Sequence, residues 1–522
     1  MRRQPANVTR QTRRQPIAES RGARTSRPKV LQPPIGGWNA RDALDEMPDG
    51  DAVSLVNWFP RQSDCVTRPG FAVQCDTGEI GKTIKTIVQY GFGAISKMLA
   101  CVNGKIFDVS TATPASLAVG LLSDDYVSDV LGGKMFLCNG LDTVKVYDGA
   151  TIANSTFTGV TLANLNFVEV YKSRVFFIEK NTQKMWYGGI GSVTGALTSF
   201  DFSTVGSFGG NLKLLARLKG DGGDGGNDDI FLAIFEHGDV VAYTGSNPGD
   251  LNFWALLGQY KIGRPLSRFG IHTGDDDVYV ITSRGYEKLT EIIKYGSSAP
   301  ERLVMSSKIQ KAVQEDINFL GATDDWKTML FPGGQMFIVT VPRISSGRNY
   351  HVRNINTKAW CQFKDFYAFS WSMFGLKAYF GSNDGKVYEF SSSYTNDAGA
   401  AIVADGQLAW SYLGFPGYQK IVDLVKVVLK GSTRPPTMIS LAADYGSLPI
   451  TAYETGAAGT FYYWDTAVWD QSYWFGTDNA YQQWFNRNAV GDVIGIRVRI
   501  TSSTTDVRWN SFTVLFTLGG LL

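Results

Sequence analysis

The sequence predicts an all-β protein: a β-propeller of about seven blades, a C-terminal antiparallel β-sandwich and an extended basic N-terminal arm. Three observations predict it. Among 522 residues, glycine is frequent at 57, aromatic side chains reach 13% and charged ones only 19%. This composition suits tight turns between packed strands better than long solvated helices. A short strand motif recurs through the middle of the chain, and longer alternating runs follow it.

Residues 1–30 form the predicted arm. They hold nine basic groups and one acid, a net charge of +8, so that the remaining residues carry −6 of the total +2. Few large apolar side chains are present, and the segment cannot bury enough surface to fold alone. Its arginines are suited either to DNA phosphates or to paired carboxylates of neighbouring subunits. The predicted contacting residues are Arg2, Arg3, Arg10, Arg13, Arg14, Arg21, Arg24 and Arg27.

Residues 31–75 are assigned to an N-terminal anchoring segment and residues 76–405 to the propeller. Aromatic anchors within the recurring motif lie 40, 40, 56 and 43 residues apart, at Phe107, Tyr147, Tyr187, Tyr243 and Tyr286. The gap of 102 residues to Tyr388 leaves room for one more unit, around Phe337. This period, with about four short strands per unit, is typical of propeller blades. A β-sandwich of unrelated hairpins is the alternative.

A helix inserted near residues 306–318 interrupts the strands. Ile309, Val313 and Ile317 recur at a spacing of four, which places them on one helical face. Ser307 followed by Gln310 three residues later has the pattern of a capping box. We expect a surface helix between two blades.

Residues 406–522 are predicted to form the sandwich. Alternation over eight or more residues recurs in runs at 421–431, 437–446, 493–503 and 509–520, as in antiparallel strands. The stretch 461–485 holds eleven aromatic residues. Its tryptophans, Trp464, Trp469, Trp474 and Trp484, form a possible aromatic interface. These side chains are expected either to pack in the sandwich core and at a subunit interface, or alternatively to form a surface on which sugar rings stack.

The sequence predicts no catalytic activity, metal site or cofactor. His237, His272 and His351 are isolated, and no P-loop, nucleophile elbow or HExxH motif is present. Two Asp-rich tips, at 221–229 and 275–277, lack the spacing of calcium loops. Five cysteines without a CxxC pair indicate a reducing compartment, and no apolar run is long enough to span a membrane.

Two stretches of the chain carry short motifs in a fixed order. Residues 33–71 contain a GG-x-N turn, an MP step, an NWFP element and an RPG turn in that order. Residues 238–270 contain a Y-x-G-x-x-P turn, a tryptophan and an IG-x-P turn, with matching segments on either side at 221–229 and 276–289. Asp444–Gly446 and the pair of Trp-Asp steps at 464–470 belong to the same pattern. In this order the motifs resemble those of the tail nozzle proteins of short-tailed bacteriophages, also described as packaged-DNA stabilisation or tail tubular proteins.

The resemblance implies a virion protein that forms a ring, expected to be a hexamer, below the portal and adaptor. This nozzle closes the channel over packaged double-stranded DNA and conducts the DNA during ejection. Synthesis in the host bacterial cytoplasm and residence in the virion tail follow from it, as do contacts with other tail proteins. The arm has no counterpart in the family pattern. The alternative function is a receptor- or glycan-binding peripheral tail protein.

Overall fold

The computed structural model describes residues 26–206, 208–219, 229–250, 252–274, 277–295, 304–342, 348–450 and 479–521. Strands account for 53% of the protein and helices for 7%, which confirms the predicted all-β class.

Six strands precede the propeller: β1 (Arg27–Leu31), β2 (Gly37–Trp38), β3 (Asp51–Val56), β4 (Trp58–Pro60), β5 (Cys65–Thr67) and β6 (Gly70–Asp76). The first half of the middle region contains β7 (Thr86–Phe92), β8 (Ile95–Val102), β9 (Lys105–Asp108), β10 (Ala115–Val119), β11 (Val127–Leu131), β12 (Lys134–Cys138), β13 (Lys145–Tyr147), β14 (Ile152–Asn154), β15 (Phe157–Thr158), β16 (Leu165–Tyr171), β17 (Arg174–Glu179), β18 (Lys184–Tyr187), β19 (Gly195–Ala196) and β20 (Thr198–Asp201).

The second half contains β21 (Leu212–Leu218), β22 (Ile230–Phe235), β23 (Asp239–Gly245), β24 (Trp254–Lys261), β25 (Ile271–Thr273), β26 (Val278–Thr282), β27 (Gly285–Lys288), α1 (Leu289–Tyr295), α2 (Gln310–Leu320), β28 (Lys327–Phe331), β29 (Met336–Val341), β30 (Asn349–Asn354), β31 (Trp360–Phe363), β32 (Ser370–Phe374), β33 (Lys377–Gly381) and β34 (Lys386–Ser391). The last strands are β35 (Ile402–Leu408), β36 (Tyr418–Gly431), β37 (Thr437–Ala443), β38 (Asn479–Gly491), β39 (Ile494–Ser502) and β40 (Arg508–Leu521). Short 3-10 turns lie at Leu162–Asn164, Phe202–Thr204, Ser307–Ile309 and Pro332–Gly334.

The middle region is a β-propeller, as predicted. Six separate sheets have the form of blades: β7–β10, β11–β14, β16–β18 with β20, β21–β24, the three-stranded β25–β27, and β32–β34 with β6. The sequence predicts about seven. One further place in the ring, between β25 and β32, is taken by the meander β28–β31, which begins a nine-stranded sheet instead of standing alone. The first strands of neighbouring sheets contact one another around a closed circle.

The aromatic anchors mark the third strand of their sheets. Each is buried: Phe107 on β9, Tyr147 on β13, Tyr187 on β18, Tyr243 on β23, Tyr286 on β27 and Tyr388 on β34. In the meander, Phe337 lies instead on the second strand, β29, and the third strand, β30, carries Tyr350. The sequence spacing therefore follows the blade repeat wherever the blade is a separate sheet.

The propeller closes with a strand from the N-terminal segment. β6 pairs antiparallel with β34, from Gly70 opposite Ser391 to Asp76 opposite Lys386. The last blade therefore contains one strand from before the first blade, β6, and three strands from the end of the propeller region, β32 to β34. This pairing fixes the ring, since opening it would break a full strand of hydrogen bonds.

Helix α2 follows the 3-10 turn, and Ile309, Val313 and Ile317 are buried as their spacing predicts. The predicted capping box is wrong. No side chain caps either helical segment, and Ser306 Oγ donates to Gln310 Oε1 at 2.9 Å. None of the described helices is long and apolar enough to cross a membrane.

The sandwich takes strands from both ends of the chain. One sheet has the order β38-β36-β40-β5-β4, with β1 also paired to β40; facing it are β3, β35, β39 and β37 of the nine-stranded sheet. Val425 and Phe512 from the first sheet share one core with Val498 and Ile500 from the second. The sandwich therefore includes the N-terminal segment as well as residues after 405.

Candidate functional site

The RPG turn of the first motif stretch lies where the propeller meets the sandwich. Arg68, whose side chain is 0% exposed, donates two hydrogen bonds to Asp397, at 2.8 and 2.5 Å. It also donates to Asn57 Oδ1 at 3.0 Å and to the Lys364 carbonyl at 3.3 Å, and its guanidinium carbon lies 4.8 Å from the Phe366 ring centre. Arg68 thus joins all three chain segments that pass between the two bodies.

Asn57 of the NWFP element completes this network. Its side-chain Nδ2 donates to the Val403 carbonyl at 2.8 Å, and its Oδ1 also accepts from the Lys364 amide at 2.9 Å. The residue has φ 56°, in the left-handed region, where asparagine is among the better tolerated side chains. We call Asn57, Arg68 and Asp397 the junction network.

Lys308, which lies in the helical insertion, holds the GG-x-N turn in place through hydrogen bonds. Lys308 Nζ donates to Asp51 Oδ1 at 2.7 Å and to the Gly36 carbonyl at 2.8 Å, while Asn39 Nδ2 donates to Asp51 Oδ2 at 2.8 Å. Gly37 has φ +81°, and a Cβ there would lie 2.6 Å from the Trp360 carbonyl oxygen. The second glycine is therefore required for close backbone approach.

A cavity of about 300 Å³ opens at the junction network. Its walls combine aromatic rings with carboxylates: Phe366, Tyr367, Phe380, Tyr388, Asp365 and Asp384. Tyr388 Oη donates to Asp384 Oδ2 at 2.7 Å, and burial together with this carboxylate raises the pKa of Tyr388. Aromatic walls with carboxylate acceptors match the chemistry of a polyhydroxylated ligand.

The IG-x-P stretch closes one end of the propeller axis. Residues 262–270 precede β25, and Leu266 and Ser267 are buried there. Lys213, near the start of β21, donates from Nζ to the Pro265 carbonyl at 3.1 Å. We call residues 262–270 the axial loop.

Arg268 extends from the axial loop to the starts of other blades. Its guanidinium donates to the carbonyls of Asn139 at 3.1 Å, Asn166 at 3.4 Å and Asp125 at 3.2 Å. Asp324 Oδ2, before β28, lies 3.0 Å from its Nε. One side chain therefore ties together chain segments beside β11, β12, β16 and β28.

Phe269 lies between two cations at the same end of the axis. The Arg268 guanidinium carbon is 4.9 Å from the ring centre and Lys327 Nζ is 4.7 Å away, within the range of cation–π attraction. Lys327 Nζ also donates to the Lys85 carbonyl, and Asp125 Oδ1 lies 3.9 Å from it. Burial lowers the pKa of Lys327 to about 8. The axial loop is thus fixed by charge as well as by packing.

An acid pair lies further along the first strands. Glu169 on β16 and Asp129 on β11 lie 3.5 and 3.9 Å from the guanidinium nitrogens of Arg217 on β21. Burial raises the pKa of both carboxyl groups. Asp129 Oδ2 also accepts from the Val170 amide at 2.6 Å. These contacts connect three adjacent blades, and we assign them a structural role.

His351 is the centre of a buried polar chain. Tyr286 Oη and His351 Nδ1 are 2.8 Å apart, and Asp316 Oδ2 lies 3.4 Å from Nε2. Burial lowers the pKa of His351 to about 3 and that of His272 to about 4, so both are neutral at physiological pH. His351 is 1% exposed, which leaves no room for a substrate beside the ring.

The sequence-predicted contact residues are only partly within the described structure. Arg27 lies on β1, opposite Phe516 of β40, with its guanidinium carbon 5.2 Å from the Phe415 ring centre. Trp484 lies on β38, is 45% exposed and has Lys426 Nζ 5.2 Å from its ring centre. Outside the described residues lie Arg2, Arg3, Arg10, Arg13, Arg14, Arg21, Arg24, Trp464, Trp469 and Trp474.

The two Asp-rich tips also lie only partly within the described structure. Asp229 accepts from Tyr171 Oη through its carbonyl at 2.6 Å, and Asp277 accepts from Lys288 Nζ at 2.6 Å. Outside the described part of the chain lie Asp221, Asp224, Asp228, Asp275 and Asp276. Among the residues that are described, no three His, Cys, Asp or Glu side chains are grouped to hold a metal ion.

No protein-family model matches the chain, and no curated protein matches it significantly. Similar solved structures include the computationally designed Ika8 protein, Sqt1 from Saccharomyces cerevisiae and YCF48 bound to a D1 peptide. Each is 10% identical, with TM-scores of 0.36, 0.35 and 0.36. The matches cover 61%, 62% and 62% of this chain and 99%, 99% and 97% of the other chain. Likeness this distant says nothing about function.

Proposed function

We propose that the protein is a structural virion component: the nozzle ring of a short bacteriophage tail, built as a hexamer below the portal and adaptor. In this role it closes the channel over packaged DNA and conducts the DNA during ejection. One observation carries the proposal. Asn57 and Arg68 of the junction network and the residues of the axial loop belong to the motifs that resemble nozzle proteins, so the resemblance concerns residues that hold this architecture together.

The DNA path in this proposal lies between copies of the chain. Arg268 crosses the end of the propeller axis and bonds to three carbonyls, and Lys327 and Phe269 pack beside it. A duplex therefore has no path through a single propeller. A ring of several chains is required to make a conduit, which supports the oligomer in the proposal.

The charge distribution suits a conduit. Apart from residues 1–30 the chain carries −6, and a mildly acidic body repels the phosphate backbone instead of binding it. The basic charge is concentrated in the arm, which leads into β1 at the side of the sandwich. Residues 2–25 can extend about 80 Å at 3.3 to 3.6 Å per residue. That reach is enough to contact a neighbouring subunit or the adaptor.

Electron microscopy of particles that contain the protein tests the proposal. The expected result is a six-fold ring on the tail axis, labelled by an antibody or tag on this chain. Three-fold density at the periphery of the tail would contradict the nozzle role. The purified chain should also form rings whose mass, measured by light scattering, is six times 57.3 kDa.

The junction cavity favours a second candidate, a receptor- or glycan-binding tail protein. Its aromatic walls and the Asp365 and Asp384 carboxylates suit a sugar ring. Host polysaccharide should then bind the purified protein, and Asp384→Asn should weaken that binding while the exposed control change Asp49→Asn should not. Cleavage of the polysaccharide that is lost in Asp384→Asn would establish an enzyme and contradict the structural role.

A further inference from the structure

A second cavity, of about 280 Å³, lies between the three-stranded blade and the meander. β26 and β27 form one wall through Tyr279 and Lys288, and β29 and β30 form the other through Phe337 and Arg353. In the described part of the chain this blade has three strands; after α1, the Met305 amide donates to the Tyr286 carbonyl at 2.8 Å and Val304 forms an isolated bridge with Glu287. The cavity opens beside this contact.

Arg353 is the unusual member of the lining. Among the described residues, no carboxylate oxygen lies within 4.0 Å of its guanidinium, and its buried Nε has no hydrogen-bond partner. Its guanidinium carbon is 5.9 Å from the Trp360 ring centre. Burial lowers the pKa of Arg353 below its usual range. A shielded cationic donor without a hydrogen-bond partner is costly, so this half-buried guanidinium is suited to an added anion.

The acids nearby do not supply the missing partner. Glu291 lines the cavity, but its carboxylate lies 3.9 Å from Lys288 Nζ instead of pairing with Arg353. Lys288 Nζ is bound at 2.6 Å by Asp277 as well. Lys358 adds a further cation at the rim. Among the described lining residues there are three cations and one carboxylate, and Asp277 pairs only with Lys288, so this lining is electropositive.

An apolar part of the lining adjoins Arg353, because Phe337 on β29 is its cross-strand partner. The rings of Tyr279 and Phe337 are 5.0 Å apart, and Leu330 and Met305 extend this surface. The volume exceeds what a bare oxyanion needs and is well below that of a macromolecular groove. An arginine fork with a flat apolar wall matches a small ring that carries an anionic group.

We propose that this cavity is a binding site for a small aromatic oxyanion, with Arg353 donating to the anionic group and the Tyr279 and Phe337 side packing against the ring. The anionic group is a carboxylate or a phosphate, both of which accept the two parallel donors of a guanidinium. The site is independent of the proposed nozzle role and lies on a different part of the molecule from the junction network.

Isothermal titration calorimetry on the full-length protein tests the site, with benzoate, phenyl phosphate, inorganic phosphate and benzyl alcohol as probes. We expect saturable binding of benzoate or phenyl phosphate at one site per chain, and weaker binding of inorganic phosphate. Benzyl alcohol, which keeps the ring and lacks the charge, should bind at least about 10-fold more weakly, as expected for loss of a charged hydrogen bond. Whichever aromatic anion binds more tightly identifies the natural group as carboxylate or phosphate.

Arg353→Met should reduce the affinity about 10-fold to 100-fold, and Arg353→Lys should restore part of it. Lys82→Ala removes an exposed cation elsewhere on the propeller and should leave the affinity unchanged, which controls for overall charge. Any anion bound by the basic arm is unaffected by Arg353, so the difference between variants isolates the cavity. If Arg353→Met fails to fold, Arg353→Lys and the rim variant Lys358→Ala give the same comparison.

Two results would overturn the proposal. One is the absence of saturable binding of either aromatic anion by the intact protein at millimolar concentration. The other is an affinity that is the same in the intact protein, Arg353→Lys and Arg353→Met. Loss of oligomerisation in Arg353→Met without any ligand binding would assign the missing anion to a carboxylate of another subunit and would also reject the small-ligand site.

Discussion

The propeller and the sandwich are built from the chain in opposite ways. Each separate blade is built from strands that lie close together in the chain, and only β6 is brought in from outside. The sandwich instead combines β1 and β3 to β5 with strands after residue 401, so it contains pairings between residues more than 400 positions apart, as Arg508 opposite Val66. Local contacts form the blades, whereas the sandwich requires both ends of the chain.

This difference explains the buried ion pair that lies where the two bodies meet. Where the chain crosses between the two bodies, backbone N–H and C=O groups in the connecting turns have no hydrogen-bond partner in a regular sheet. Arg68, Asn57 and Asp397 provide those hydrogen bonds, with Arg68 and Asp397 separated by 329 residues. The junction network thus connects the propeller, which is formed by local strand pairs, to the sandwich, which is formed by strands distant in the chain.

The largest expected effect comes from breaking the junction network. Arg68→Met leaves the buried Asp397 without its partner and should lower the free energy of unfolding by about 3 to 5 kcal/mol, as when one member of a buried ion pair is removed. Urea denaturation followed by tryptophan fluorescence measures it. We also expect separate transitions for the two bodies.

Arg61→Met is the matched control. Arg61 pairs with Asp64 at 2.7 Å, but its side chain is 38% exposed, so the loss should stay below about 1 kcal/mol. Equal losses in the two variants would show that Arg68 does not hold the junction.

The axial loop should give the next largest effect, confined to the propeller. Arg268→Met removes the donors to three carbonyls and should cost about 2 to 3 kcal/mol. Hydrogen exchange should rise at the starts of β11, β16 and β28 while exchange in β36 and β40 stays unchanged. Arg264→Met, an exposed change in the same loop, is the control. Faster exchange throughout the sandwich would contradict a local role.

Acid should weaken the propeller through His351. The folded-state pKa of about 3 lies below the unfolded value of about 6.5, so only the unfolded chain binds the proton between these values. Stability is therefore full above pH 6.5 and falls by about 1.4 kcal/mol per pH unit below it. At pH 5 the loss from His351 should be about 2 kcal/mol.

His351→Gln should remove this part of the pH dependence. The measurement is the difference in unfolding free energy between pH 7.5 and pH 5, compared between the intact protein and the variant. An identical pH dependence in the variant would mean that His351 is protonated in the folded protein.

The smallest effect on stability should come from the arm. Deleting residues 2–25 keeps Arg27 and Lys29, which pair with Phe516 and Val514 in the sandwich. The unfolding free energy should change by less than about 0.5 kcal/mol. Assembly onto filled heads should fail, measured as missing tails or leaked DNA.

A deletion mutant that assembles normally but retains or ejects DNA differently would assign the arm to DNA instead of to protein. A drop of several degrees in the melting temperature would show that the arm also packs on the body of its own chain. Either outcome would revise the boundary between arm and sandwich.

Much of the propeller was predictable because its signal is local. The anchors from Phe107 to Tyr286 occupy equivalent third strands, since each blade repeats the same short pattern of strand, aromatic and turn. Val313 and Ile317 were predictable for the same reason, because a spacing of four residues places side chains on one helical face. The alternating runs after residue 420 likewise correspond to β36, β37, β39 and β40.

The site residues were predictable only as members of motifs. The RPG turn and the IG-x-P stretch drew attention to residues 68–70 and 262–270, but nothing in the sequence indicated that Arg68 binds Asp397 or that Arg268 crosses the axis. Arg353 carried no sequence signal at all, because an arginine in a strand is ordinary until its neighbours are known.

Local elements therefore follow from the sequence: short strands in repeated blade units, one helix with an apolar face and long alternating strands at the end. Which distant segments meet is a property of the folded chain. Folding places β6 on the last blade, merges the β28–β31 meander into the sandwich sheet and leaves Arg353 without an ion pair among the described residues. Periodicity is set by neighbours in the chain, whereas pairing across hundreds of residues depends on which surfaces exclude water together.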